Sequence, residues 1–279
     1  MSADPKSSRD ELSDWQLRMF DKSLKKRQKV AMLLRMLGPL QGSRCLLVTN
    51  GDNNGAMNWH FRAAGGEWTF ADMELHGINE MSVFLGAPVH KATPDRIPVP
   101  DAAFDKVVVI DVHEHLPNLD AVNREIARVT KPGGMAIITT PNGDTRLPVA
   151  KFKNWLGMTP ASYGHVVQGY RARELEAMLR SVGLVPRAQG AYSRFFTEFA
   201  ELVINFAYVK ILSRKKGGPV VPKGTIAPTT SDQLRAVRKA YRAYRVIYPL
   251  MRVFSALDVL IPLRGGYAVA VAADKPASG

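Results

Sequence analysis

Residues Ile97–Asn142 read IPVPDAAFDKVVVIDVHEHLPNLDAVNREIARVTKPGGMAIITTPN, and the fold turns on this stretch. Two continuous apolar runs, Lys106–Asp111 and Met135–Thr140, stand either side of Leu119–Val129, whose apolar residues have helical spacing. Strands that are apolar on both faces and joined through a helix belong to a parallel sheet covered on both sides. Lys131-Pro132-Gly133-Gly134 supplies the tight turn that ends the helix and launches the second strand.

The same rhythm extends outward. Strand-like runs lie at Cys45–Thr49 and Trp68–Ala71, with weaker ones near Val89 and over Leu184–Ala188, and a helical stretch over Arg171–Val182 is closed by Gly183. Before them, Asp10–Leu37 has helical spacing with a basic face of Lys22, Lys25, Lys26, Arg27, Lys29 and Arg35, ending at Gly38-Pro39. After them, residues 192–264 hold two helix-like apolar stretches around a Lys/Gly/Pro linker, the first with apolar Phe195, Phe199, Leu202, Val203 and Phe206 on one side and Glu198, Glu201 and Asn205 on the other, and strand character returns only in GYAVAVAA, Gly266–Ala273. The expected architecture is α/β, a Rossmann-like doubly wound sheet with a helical insertion before the last strand. The expected divisions are a helical cap over 1–39, a sheet domain over 40–191, a basic helical insertion over 192–264, and a final strand and tail over 265–279.

Composition narrows the chemistry. The 279 residues are 46% apolar, enough for a full core, and the lone Cys45 excludes an intramolecular disulfide and a multi-cysteine metal site. A cytoplasmic location is the expectation, since the N-terminus has no apolar signal region. Of the net charge of +13, residues 192–264 carry +9, with thirteen Lys or Arg against four acids. Charge gathered in this way favours an anionic surface.

Ligands of an open α/β sheet bind beyond the carboxyl ends of its strands, where the first turn enters a helix. That turn is LLVTNGDNNGAMNWHF, Leu46–Phe61, with Gly51 at the bend and Gly55 at the helix start. Asp72 follows Gly51 by 21 residues, at the end of the second strand. A carboxylate about 20 residues past such a turn can accept hydrogen bonds from the hydroxyls of a ribose.

The middle of the chain resembles class I S-adenosylmethionine-dependent methyltransferases of the type 11-like subgroup. The resemblance runs through Pro100-Asp101, Phe104-Asp105, Asp111, Glu114-His115-Leu116, Arg124-Glu125, Arg128-Val129 and Lys131-Pro132-Gly133-Gly134. YGHVVQGYRARELEAMLRSVGLVP, Tyr163–Pro186, is similar to the subgroup's next loop, helix and strand. It implies S-adenosyl-L-methionine as cofactor and contacts from Asn50, Gly51, Asp52, Asn53, Asp72, Met73, Thr93, Asp95, Asp111 and Val112. The first motif departs from the family pattern: Leu47 stands in place of an acid, Thr49 and Asn53 in place of glycines, and Thr93 or Asp95 where an acid is usual near the adenine. Asparagine tolerates positive φ better than most residues, so the turn survives these changes.

Methyl transfer is an in-line displacement from an already activated sulfonium, leaving the protein to align the acceptor and remove its proton. His165, His115 and His113 are the candidate bases, with Glu114 beside them. No metal is expected, because the HEH triplet lacks the i, i+4 spacing of a helical zinc motif. The basic amphipathic insertion points to a small amphipathic, lipidic or lipid-linked acceptor and to peripheral contact with the anionic inner face of a membrane. Packing over the cleft, or a subunit contact, is the competing use of these helices. Other chemistry with the same cofactor, or a cofactor-free scaffold, are the competing functions. No nucleic-acid motif is present, and oligomeric state is not legible.

Overall fold

A computed structural model describes residues 15–51, 53–206, 230–261 and 265–277. In chain order these form α1 (Trp15–Asp21), α2 (Leu24–Leu37), β1 (Arg44–Thr49), α3 (Ala56–Ala63), β2 (Glu67–Asp72), α4 (Ile78–Leu85), β3 (Val89–Lys91) and β4 (Phe104–Ile110). They continue as α5 (Asp120–Val129), β5 (Thr130–Pro141), α6 (Pro148–Trp155), α7 (Ala172–Ser181), β6 (Val185–Tyr192), α8 (Phe195–Phe206), α9 (Ser231–Ala256) and β7 (Ala268–Asp274).

The seven strands lie in the order β3-β2-β1-β4-β5-β7-β6, with β7 antiparallel to both its neighbours and the other pairings parallel. The expected Rossmann-like sheet is therefore present, and its last strand slots in between β5 and β6. The order reverses between β1 and β4, and this switch point opens a crevice at their carboxyl ends.

Alternate residues of each central strand enter opposite cores. Leu47, Val108, Ile110 and Ile137 pack with Leu33 and Leu37 of α2, Phe61 of α3 and Met81 of α4. Leu46, Val48, Val107, Val109 and Ile138 pack with Ile126 of α5 and Leu175 and Leu179 of α7. Leu47, which stands where the family carries an acid, is fully buried in the first of these cores.

The motif residues around β4 build the fold. The Arg128 guanidinium donates to Glu125, to Asp101 and to the carbonyls of Ile97 and Val99, while Glu125 accepts the Ile97 amide. This cluster ties the segment before β4 to α5. Asp105 accepts the Arg44 amide at 2.9 Å and Lys131 Nζ at 3.2 Å, joining the starts of β1, β4 and β5. A Cβ on Gly134 would come within 2.8 Å of the Lys131 carbonyl, so the turn into β5 admits only glycine there.

Three expectations change. The sixth strand runs to Tyr192, beyond Ala188, because α2 lies close over it: a Cβ on Gly190 would stand 2.7 Å from the sulfurs of Met32 and Met36. Lys29, expected on a solvent-facing basic surface, is buried. Glu198, expected on the polar side of its helix, is also buried, held by Lys25, Lys153 and Ser193, and Val203 is exposed instead. Burial works against the Glu198 charge, but the two lysines hold its carboxyl down to about 2.

The insertion docks through polar contacts as well as packing. Tyr241, Tyr244 and Tyr248 of α9 donate their hydroxyls to the carbonyls of Arg18, Lys22 and Asp21 at the end of α1, satisfying a helix C-terminus. Asp258 accepts the Phe196 and Thr197 amides and so caps α8.

Candidate active site

The first turn is held together by side-chain hydrogen bonds. Thr49 donates its hydroxyl to Asp72 Oδ2 at 2.6 Å, and Asp72 Oδ1 accepts the amides of Gly51 at 2.9 Å and Glu74 at 2.8 Å. Asn53 is buried; its amide nitrogen donates to Asn58 Oδ1 at 2.6 Å, and its oxygen accepts the Gly55 amide at 3.1 Å. Asn54 accepts the Ala56 amide at the start of α3. Gly51 and Gly55 take positive φ, 71° and 90°, as the bend requires. Asp72 is fully buried, and that desolvation raises its pKa despite the three donors around it.

Asp52 lies outside the described residues. Asn50, Gly51, Asp72 and Met73 come together at the ends of β1 and β2, and the Ala92 amide bonded to the Asp72 carbonyl brings Thr93 alongside. Thr93 and Arg96 pair across a short exposed turn that contains Asp95. Lys91 donates to the Met73 carbonyl, closing the outer side of this group.

At the end of β4, Asp111 adopts φ 51°, a left-handed conformation unusual outside glycine. It accepts Lys29 Nζ from α2 and the Thr139 hydroxyl, at 2.9 Å, from β5. Burial opposes its charge, and Lys29 reverses that, leaving its pKa lowered. Val112 is buried in the second core.

The three histidines separate. His113 is fully buried with Nε2 2.9 Å from Asn123 Oδ1 on α5, and burial pushes its pKa down to about 4. That position serves the join between β4 and α5. His115 and His165 meet edge to face, ring centres 4.7 Å apart, across 50 residues of sequence. Burial, then the neighbouring His115, lowers His165 to about 4, so its ring is neutral at pH 7. Between them lies Glu114, fully buried and with neither carboxylate oxygen hydrogen-bonded, its pKa raised well above the usual range by burial and then by Asp111. Sequence reasoning placed Glu114 among the candidate catalytic groups with the histidines, and it missed the Lys29 and Tyr192 lining near Asp111. A buried lysine at the spacing of other core positions of α2 was the one available signal.

A switch-point crevice, a glycine-pivoted turn fastened to a strand-end acid, and a cluster of His and Glu beyond β4 together define a class I methyltransferase. Residues 15–189 match the family described as a methyltransferase domain, and the chain belongs to it. It is an S-adenosylmethionine-dependent methyltransferase. The chain is similar to a ubiquinone biosynthesis O-methyltransferase of Bordetella avium (strain 197N), 26% identical over 175 residues covering 57% of this chain and 68% of the relative. Among solved structures, geranyl diphosphate C-methyltransferase from Streptomyces coelicolor A3(2) aligns with a TM-score of 0.56 at 14% identity, over 90% of this chain and 79% of that one. The [4+2]-cyclase SpnF aligns with a TM-score of 0.55 at 17% identity, over 91% and 82%. At these identities the structures share the fold.

Proposed function

We propose that the enzyme methylates a small amphipathic, lipidic or lipid-linked acceptor, approached from a membrane surface. The observation that carries this reading is the outer face of α9. Val246, Leu250 and Val253, with Leu260 just beyond the helix, are 67–80% exposed, and Arg242, Arg245 and Arg252 flank them in the open. Asp232 is the one acid in the helix, against six Lys or Arg. An apolar stripe bordered by arginines fits the headgroup boundary of an anionic bilayer, and no helix among the described residues is long and apolar enough to cross one. The similarity to a ubiquinone-pathway methyltransferase supports a lipid-linked acceptor.

In this reading the Asn50–Asn53 turn, Asp72 and Met73 hold the amino-acid and ribose parts of S-adenosylmethionine, Thr93 and Asp95 border the adenine, and Asp111 and Val112 close the site. The described residues of the turn are compatible with the cofactor: Gly51 takes φ 71° at the bend, and Asp72 holds the Gly51 and Glu74 amides. Bound there, it supplies the electrophilic methyl group. His115 and His165 face the acceptor, oriented by the Gly164–Val167 loop. Flotation with phosphatidylglycerol-containing vesicles tests the membrane part. The wild type should float, phosphatidylcholine vesicles should recover much less, and Arg242→Glu with Arg252→Glu should abolish flotation. Equal recovery of wild type and variant in the soluble fraction overturns it.

A further inference from the structure

Glu114 is the one buried carboxyl among the described residues with both oxygens unpartnered. It is fully buried, and both oxygens lack a hydrogen-bond donor. A buried carboxyl with unmet hydrogen bonds is costly to keep, and such groups in native proteins call for an explanation. Around it the backbone is ordered: the Glu114 carbonyl accepts the amides of Val166 at 2.8 Å and Val167 at 3.3 Å. Those two bonds fasten the distant loop against the 3-10 turn His113–His115 and bring His165 to His115.

His115 Nδ1 lies 3.1 Å from the Gly164 carbonyl, which can only accept, so Nδ1 carries the proton and Nε2 keeps its lone pair. A backbone carbonyl that fixes the tautomer in this way is the usual outer support of a metal-bound imidazole. One donor atom each from Glu114, His115 and His165 lie within 4.8 Å of one another.

We infer that Glu114, His115 and His165 form a binding site for one divalent transition-metal ion, with a coordination position left open to an oxygen of the acceptor. Two imidazoles and a carboxylate suit zinc, manganese, iron or cobalt better than calcium or magnesium. Metal–ligand bonds of about 2.0–2.2 Å place neighbouring ligand atoms ~3.3 Å apart, so the three groups draw inward on binding by side-chain rotation. The HEH triplet alone lacks zinc spacing; the third ligand arrives from the loop before α7.

Tag-free full-length protein, stripped with chelator, is titrated with Co²⁺ followed by its visible absorption, and with Zn²⁺ by calorimetry. S-adenosylhomocysteine affinity is measured in parallel on every sample. One equivalent of metal should bind, and Glu114→Gln and His165→Ala should each weaken binding at least tenfold while S-adenosylhomocysteine still binds. The inference is overturned by a wild type that takes up no stoichiometric metal, or by both variants binding as the wild type does. Because cofactor binding is read separately, such a result leaves the methyltransferase assignment standing.

Discussion

Lys29 of the second helix is ion-paired with Asp111 at the carboxyl end of β4, so α2 is tied directly to the crevice at the strand ends. The lysine side chain is 5% exposed and that of Asp111 27%, with Thr139 completing the carboxylate. Removing one partner of such a pair leaves the other charge stranded, at a cost of about 3 kcal/mol. Lys29→Met should therefore lower the urea midpoint by that equivalent. Asp111 would lose what holds its pKa down. A midpoint within 0.5 kcal/mol of wild type, a margin of order ~0.5 kcal/mol for ordinary surface changes, would place the pair among inconsequential contacts.

Asp72 fastens the turn after β1 through three donors, from Thr49, Gly51 and Glu74. Asp72→Asn keeps the shape but puts an amide NH2 where an acceptor is needed. The expected cost is about 1–3 kcal/mol of stability, together with at least a tenfold loss of S-adenosylhomocysteine affinity by calorimetry. Wild-type affinity in the variant would mean that this turn does not hold the cofactor.

Gly51 separates two effects that are often merged. A side chain there meets Glu74 Cγ at 2.8 Å and Cβ at 3.1 Å; Glu74 is exposed, so Cγ can rotate away while Cβ must shift slightly. The φ of 71° is not relieved by that movement and costs a β-branched residue about 1–2 kcal/mol. Gly51→Val should thus lose cofactor binding, while a Glu74→Ala background should not restore it. Recovery in the double variant would show that space, not backbone conformation, is what glycine provides.

The sheet was legible because its strands are buried on both faces: Lys106–Asp111 and Met135–Thr140 read as continuous apolar runs, and β4 and β5 run through them. Arg128, Glu125 and Asp101 were legible as a motif, though their common role in clamping the chain before β4 appears only in three dimensions. Lys29 and Glu198 defeated the sequence because a buried charge and a solvated one look alike until the partner is placed, and Lys29 and Asp111 are 82 residues apart. The His115–His165 contact failed for the same reason. Local periodicity carries no information about which loop a long connection brings back to a strand end.

His113 offers a pH test of the join between β4 and α5. Its folded pKa, about 4, lies below the unfolded value of about 6.5, because burial disfavours the charged ring and the Asn123 bond offsets this only in part. Above pH 6.5 both states are neutral there and no stability is lost. As the pH falls from about 6.5 towards 4, the unfolded chain binds a proton that the native state resists, and stability drops by up to about 3 kcal/mol. His165, also near 4, acts with the same sign. His113→Gln keeps an amide to face Asn123 and removes the titration. Between pH 7 and 4.5 the wild type should lose about 2 kcal/mol more than this variant in urea unfolding. Parallel curves for the two proteins would show that the His113 ring is already charged, or solvated, in the folded state.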